Sequence, residues 1–422
     1  MRDPGLRPAF RSDRLLVELR DPRRPLPSRL AALCADGGVS AVHAPWTATE
    51  VPPVDVDPRV HARLRAILDP LRVLHLDGVT CEQLLEELAQ EPGILRSARV
   101  PLRTTCAARR RARLDCGWHL EAIRLRQARR LPGFRDAIDI HVALVDSGLD
   151  ATHPDLKRHA PRRSGATRDA EGHGTHAAGL ILGGRRNRFG LRGICGCRLT
   201  VHGVAEARAS LVSARDGFRF LADESAWLSA LAQCARERVD VVDFGYASLG
   251  EPHFAEQALL DLLLELGCAL VAPMGNDRVL GSPTAWPAAH PGVIAVAASS
   301  IDDRVAVFSS AGAHVALAAP GVGIWSTAPI AKGVLGHDFD PGLGPKRHGA
   351  ARPRATRHME QSGTSSSAAL VTAAIALLLA SRGRDTPAHT RAALQASAFR
   401  RGGGRDHDLG AGVLDLDALL RV

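Results

Sequence analysis

The sequence predicts an α/β protein in three layers, with a central, mostly parallel sheet between helices, preceded by a small α+β unit. Three observations predict this. From about residue 116 onward, short β-rich apolar runs alternate with helical ones, as in VDVVDF, FAEQALLDLLLELG and CALVAP, which is the pattern of βαβ units. The alanine-rich run SSSAALVTAAIALLLAS is apolar all round and therefore reads as a buried helix. Residues 1–115 carry their own strand and helix signals, and 422 residues with 45% hydrophobic content can hold one large core and a smaller one.

Taken in order, DRLLVELR and LRVLHLDG read as strands, CEQLLEELAQEPG as an amphipathic helix ended by Gly93, and ILRSARVPLRT as a further strand. The segment TTCAARRRAR, Thr104 to Arg113, is polar and basic, as a connector between two foldable units would be. The body then occupies residues 116–422. HVALVD is an apolar run that reads as a buried parallel strand, with Asp146 at its carboxyl end, the edge at which open α/β sheets place their functional groups. EGHGTHAAGLILGG opens a helix-compatible stretch, ESAWLSALAQCARERV is helical, and GVIAVAAS is another strand. Residues 330–361, rich in Gly, Pro and Arg and without periodicity, read as an inserted loop directly ahead of the alanine-rich helix.

Four short motifs carry chemistry. Asp146 lies in VALVDSGLD, His173 in GHGTHAAG, Asn276 closes VAPMGN and Ser365 lies in SGTSSSAA. An aspartate, a histidine and a serine set among small residues are the parts of a nucleophilic acyl-transfer site. Each also has a plain structural reading: Asp146 before Ser-Gly as a turn former, Ser365 as an N-cap, Asn276 as a left-handed turn residue. Glycines on both sides of His173 let backbone and substrate approach its ring, which makes it the candidate general base. His176, three residues on with no intervening glutamate, lacks the zincin pattern. At a helix start, Ser365 would have backbone N–H groups beside it for a developing oxyanion.

The chain order Asp, His, Ser is that of subtilisin, and with these motifs residues from about Trp118 to Leu379 resemble the subtilisin-like serine peptidases. The resemblance implies a serine endopeptidase acting on peptide or protein substrates through Asp146, His173 and Ser365, with Asn276 as an oxyanion donor. It implies a substrate groove at one of two alignments, Gly245, Tyr246 and Ala247 or, after an insertion, Ser248, Leu249 and Gly250. Tyr246 is the only tyrosine. The family's proline after the serine is missing here. The resemblance further reads residues 1–115 as a propeptide-like domain, an intramolecular inhibitor whose tail enters the groove and whose release cuts within about 104–116, the alternative being permanent attachment. No cofactor is required. Calcium is the one cation the resemblance allows, at Asp155, although the companion loop GGRRNRFG offers arginines instead of oxygen ligands. The inserted loop would form a basic flap selecting acidic or structured peptides.

Two other classes stay open at the level of sequence: a silent subtilase-like scaffold, and a basic nucleic-acid-associated protein. The net charge of +9 comes mostly from arginine, but the clusters at 109–113, 185–188 and 346–357 are scattered and without interleaved aromatics, so nucleic acid is not expected as a partner. Ala368 to Ala380 is too short to span a bilayer, so no membrane partner is expected either. Eight dispersed cysteines read as reduced thiols. The opening MRDPGLRPAFRSDRLL has no apolar signal core, which points to a cytoplasmic protein, with a non-standard export route as the alternative.

Overall fold

The computed structural model describes residues 10–45, 57–77, 79–105, 117–165, 168–169, 171–183, 193–208, 219–330, 358–400 and 404–421. The three basic clusters and residues 331–357 of the inserted loop lie outside them. The amino-terminal unit runs β1 (Phe10–Leu19), α1 (Ser28–Ala35), β2 (Val39–His43), α2 (Pro58–Leu68), β3 (Leu71–Leu76), α3 (Cys81–Ala89) and β4 (Ile94–Pro101), followed by a short strand β5 (Arg103–Thr105). The body continues with α4 (Trp118–Ala122), α5 (Leu125–Ala128), β6 (His141–Asp146), β7 (Arg162–Gly165), α6 (His173–Leu182), β8 (Arg198–Gly203), β9 (Ala205–Arg208), β10 (Arg219–Ala222), α7 (Glu224–Glu237), β11 (Val241–Phe244) and β12 (Tyr246–Ser248). It ends with α8 (Phe254–Glu265), β13 (Ala269–Pro273), β14 (Val293–Ser299), β15 (Val315–Pro320), β16 (Ile324–Thr327), β17 (His358–Gln361), α9 (Thr364–Arg382), α10 (Pro387–Ser397) and α11 (Leu416–Arg421).

Seven strands in the order β15-β14-β13-β11-β6-β8-β7 make the central sheet, and every described pairing in it is parallel. Its strands are near-continuous apolar runs because both faces are covered. Residues of α4, α5, α6, α9, α10 and α11 pack with one face in a single apolar cluster, and α7 and α8 pack on the other. The expected three layers are present. The apolar run before Ala380 belongs to a longer helix than expected, the 19 residues of α9, and by length and composition alone that helix could cross a membrane. Its side chains are buried in the core instead.

In the amino-terminal unit the antiparallel sheet β2-β3-β1-β4 uses its two faces differently. Leu15 and Val17 of β1 join Leu30, Leu84 and Leu88 in a local core. Leu16, between them, points the other way and shares one cluster with α2 and with Trp227, Leu231, Leu259 and Leu263 of α7 and α8, as the period of two demands. The unit is thus fastened to the body by apolar contact. Helices α1 and α2 and strand β2 are not among the expected elements, although Asp57 as N-cap and Pro58 behind it mark the start of α2. The last four residues of the expected loop 330–361 form β17 instead, which pairs with β16 some thirty residues earlier; a partner that distant leaves no local pattern.

Candidate active site

Four side chains from four separate segments meet at the carboxyl edge of the sheet. Asp146 is the last residue of β6, His173 the first of α6, Ser365 the second of α9, and Asn276 follows β13 by three residues. His173 Nδ1 is 2.8 Å from Asp146 Oδ1 and 3.0 Å from Oδ2, while its Nε2 is 2.8 Å from Ser365 Oγ. All three residues are buried. Gly363 occupies the N-cap of α9 and supplies no side-chain cap, so the capping reading of Ser365 does not hold; its hydroxyl is engaged by the imidazole.

Local bonds fix each piece. The Ser147 N–H donates to Asp146 Oδ1 at 2.6 Å. Asp169, which sequence reasoning missed, organises the start of α6: Oδ1 accepts from Ser147 Oγ at 2.8 Å and from the Gly172 N–H at 2.7 Å, and Oδ2 accepts from the Thr175 N–H at 2.7 Å. An aspartate a few residues ahead of a helix is the signal that could have found it. Burial pushes the Asp169 carboxyl up to about 6, against the pull of Thr175 and Ser147. For His173, burial lowers the basicity, but the Asp146 charge and hydrogen bond outweigh it and raise the imidazole to about 9. His176 is different in kind. Burial lowers it to about 3 and it bonds the Ile324 carbonyl at 3.0 Å, which makes it a neutral core histidine.

Asn276 Oδ1 accepts from the Thr364 N–H at 3.0 Å and from Thr364 Oγ1 at 3.1 Å, and Thr364 Oγ1 accepts from the Gly275 N–H at 3.2 Å. With its carbonyl end committed to Thr364, the Asn276 amide presents its NH₂ as the donor end. Thr364, the residue just before Ser365, was not singled out in the sequence beyond its place in the motif.

Of the two groove alignments, the segment that forms a strand is Tyr246–Ser248, and it pairs antiparallel with β5: Tyr246 with Thr105, Ala247 with Thr104, Ser248 with Arg103. Strand β5 is flanked on its other side by β10, so the tail of the amino-terminal unit is an inner strand of a four-stranded sheet, β12-β5-β10-β9. Leu249 and Gly250 lie in the turn that follows, where the Gly250 N–H donates to Ser248 Oγ at 2.9 Å. Gly245 abuts the Asp146 carboxylate. The Tyr246 ring is fully buried and its hydroxyl donates to Glu171 Oε2 at 3.1 Å.

Asp155 was the expected calcium ligand. Its Oδ2 lies 2.7 Å from His358 Nε2, and its N–H donates to His153 Nδ1 at 3.1 Å. Ligand atoms of His153, Asp155 and His358 lie within 4.8 Å of one another. Two imidazoles and one carboxylate do not fit calcium, which takes six to eight oxygens; such donors suit a zinc-like ion. Residues 184–190 of the companion loop lie outside the described residues. The six cysteines among the described residues, Cys195 and Cys197 included, form no disulfide.

Residues 138–412 match the subtilase family, Peptidase_S8. The chain is 31% identical over 319 residues to fervidolysin of Fervidobacterium pennivorans, covering 72% of this chain and 43% of that protein. It is 32% identical over 214 residues to the minor extracellular protease Epr of Bacillus subtilis (strain 168), covering 50% of this chain and 31% of that protein, and 30% identical over 201 residues to subtilisin E of the same strain, covering 45% and 49%. It therefore spans less than half the length of these curated relatives. The crystal structure of fervidolysin superposes with a TM-score of 0.68 at 24% identity, covering 100% of this chain and 62% of that one.

Proposed function

The chain belongs to the subtilase family, and from that premise we propose that it is a serine endopeptidase that hydrolyses peptide bonds. One observation carries the reading: carboxylate, imidazole and hydroxyl form a continuous relay, with 2.8 Å at each step. In it Ser365 Oγ attacks the substrate carbonyl and His173 Nε2 takes its proton. Asp146 holds Nδ1–H, fixes the tautomer and stabilises the imidazolium. The His173 proton then passes to the leaving amine, and a water repeats the cycle on the acyl-enzyme. The oxyanion is received by the Asn276 NH₂ and the backbone N–H of Ser365, at the positive end of α9.

The amino-terminal unit serves as an intramolecular inhibitor in this reading. Its tail strand enters the sheet beside β12 as a substrate would, with main-chain bonds supplying affinity. The register ends with Thr105 opposite Tyr246, the residue after Gly245, and in this reading self-cleavage falls within 104–116. The test is to purify wild type and Ser365→Ala, sequence their amino termini, and incubate both with a peptide library read by mass spectrometry. Wild type should lose its first hundred or so residues and cut peptides, and Ser365→Ala should do neither. An intact Met1 in fully active material contradicts the inhibitor role; no cutting by either protein contradicts the peptidase.

A further inference from the structure

Resting on the peptidase reading, we infer that the pocket filled by Arg103 is a guanidinium subsite, so that this enzyme selects substrates with arginine at the strand position opposite Ser248, a few residues ahead of the scissile bond. Arg103 is buried with 1% of its side chain exposed, although it is carried by the incoming strand and not by the body. Its Nη1 lies 2.5 Å from Glu224 Oε2 and its Nη2 lies 2.5 Å from Glu256 Oε2. Its Cζ stands 4.6 Å from the centre of the Trp227 ring. The remaining carboxylate oxygens are also matched: Glu224 Oε1 is 2.7 Å from His253 Nε2, and Glu256 Oε1 accepts from Trp227 Nε1 at 3.0 Å. His253 Nδ1 in turn accepts the Glu256 N–H at 3.2 Å.

The groups that meet the guanidinium, Glu224, Glu256 and Trp227, all belong to the body. Glu224 opens α7 behind the N-cap Asp223, and Glu256 lies in the first turn of α8. Two carboxylates held there with almost no exposure are expensive without a cation between them. A pocket needed only to anchor the tail would hold better if apolar, since buried ion pairs add little net stability and instead discriminate among occupants. The tail is held by main-chain pairing that any extended peptide can reproduce, so whichever peptide replaces it sets a side chain in this same pocket. Arginine alone reaches both carboxylates at once while its plane covers the Trp227 ring; lysine is a point charge that satisfies one.

The test uses synthetic peptides with the sequence of residues 98–112, carrying arginine, lysine or the neutral isostere citrulline at position 103. They are offered to the full chain with Arg103→Gln, whose own tail no longer fills the pocket. Because that variant strips the two carboxylates of their cation and can unfold, wild-type chain is a second arm, where the same order is expected, at a higher apparent KM for as long as the amino-terminal unit, cut or uncut, stays bound to the body. Cleavage should favour arginine over citrulline by about 10²-fold in kcat/KM, chiefly through KM, with lysine between. In Glu224→Gln with Glu256→Gln the ratio should fall to within about threefold. Equilibrium binding of the same peptides to Ser365→Ala is read in parallel. Equal cleavage of all three peptides overturns the subsite and leaves the peptidase standing. No cleavage with arginine still preferred in binding supports the subsite and overturns the peptidase, and indifference in binding overturns the subsite whatever the catalysis.

Discussion

Gly245 and the carboxylate of Asp146 occupy one space: a Cβ built on Gly245 would stand 1.9 Å from Asp146 Oδ2 and 2.4 Å from its Cγ. The residue that begins the groove segment thereby also sets the position of the relay's first member. Gly245→Ala should displace Asp146 and lower kcat/KM by about 10²- to 10⁴-fold, the upper figure being what loss of the aspartate's role costs in serine peptidases of this type. Thermal melting beside the kinetics separates the effect from unfolding. Unchanged kinetics in a folded Gly245→Ala protein would show that the contact is not needed.

Proton transfer from Ser365 requires neutral His173, and with Asp146 beside it the imidazole is raised to about 9. The kcat/KM profile should therefore fall as pH drops through about 9. In Asp146→Asn the acid limb should move to lower pH while the rate itself drops, because burial is then opposed only by the charges of Glu171 and Asp169. The stability sign is the reverse. A raised imidazole contributes stability that is fully present below the unfolded value near 6.5 and lost as pH rises through about 9. Melting temperatures across pH 6 to 10 check this against Asp146→Asn.

Asp243 offers a second pH test. It is buried in β11 beside Leu144, and burial, followed by the charge of Asp146, pushes its carboxyl up to about 8. Folded protein thus holds a proton that the unfolded chain releases near pH 4, so stability falls as pH rises from about 4 to about 8. Asp243→Asn should stabilise the protein at pH 8 by on the order of a few kcal/mol, read as a higher melting temperature, and change it little at pH 4. Equal shifts at both pH values contradict the assignment.

Asn276→Ala should lower kcat by about 10²- to 10³-fold with KM nearly unchanged, the range known for the matching donor of subtilisin itself. Thr364→Val, which keeps the backbone donor to Asn276 but removes the hydroxyl, should give a smaller loss in the same direction. A Thr364→Ser protein should recover it, since the hydroxyl is what orients the amide. A KM effect in place of a kcat effect would assign Asn276 to ground-state binding.

Much of the fold was legible because its information is local. The apolar strands of a doubly covered sheet, the buried Ser365 helix and the glycine-flanked His173 each announce themselves within a few residues. The two groove alignments could not be separated, because the segment's strand partner, Arg103–Thr105, lies about 140 residues earlier in the chain. Asp169, Thr364 and the Arg103 pocket were missed for the same reason in other forms: a carboxylate bonding backbone N–H groups, a hydroxyl orienting an amide, and an arginine meeting glutamates of two later helices have no spacing rule. Calcium at Asp155 followed from resemblance, whereas the imidazoles that surround it come from His153 nearby and from His358 some two hundred residues later.

The most direct measurement is covalent labelling with a fluorophosphonate probe, mapped by mass spectrometry on protein whose first hundred or so residues have been released. The account predicts a single labelled serine, Ser365, with labelling lost in His173→Ala as well as in Ser365→Ala. Labelling elsewhere, or none in folded wild-type protein, would contradict it.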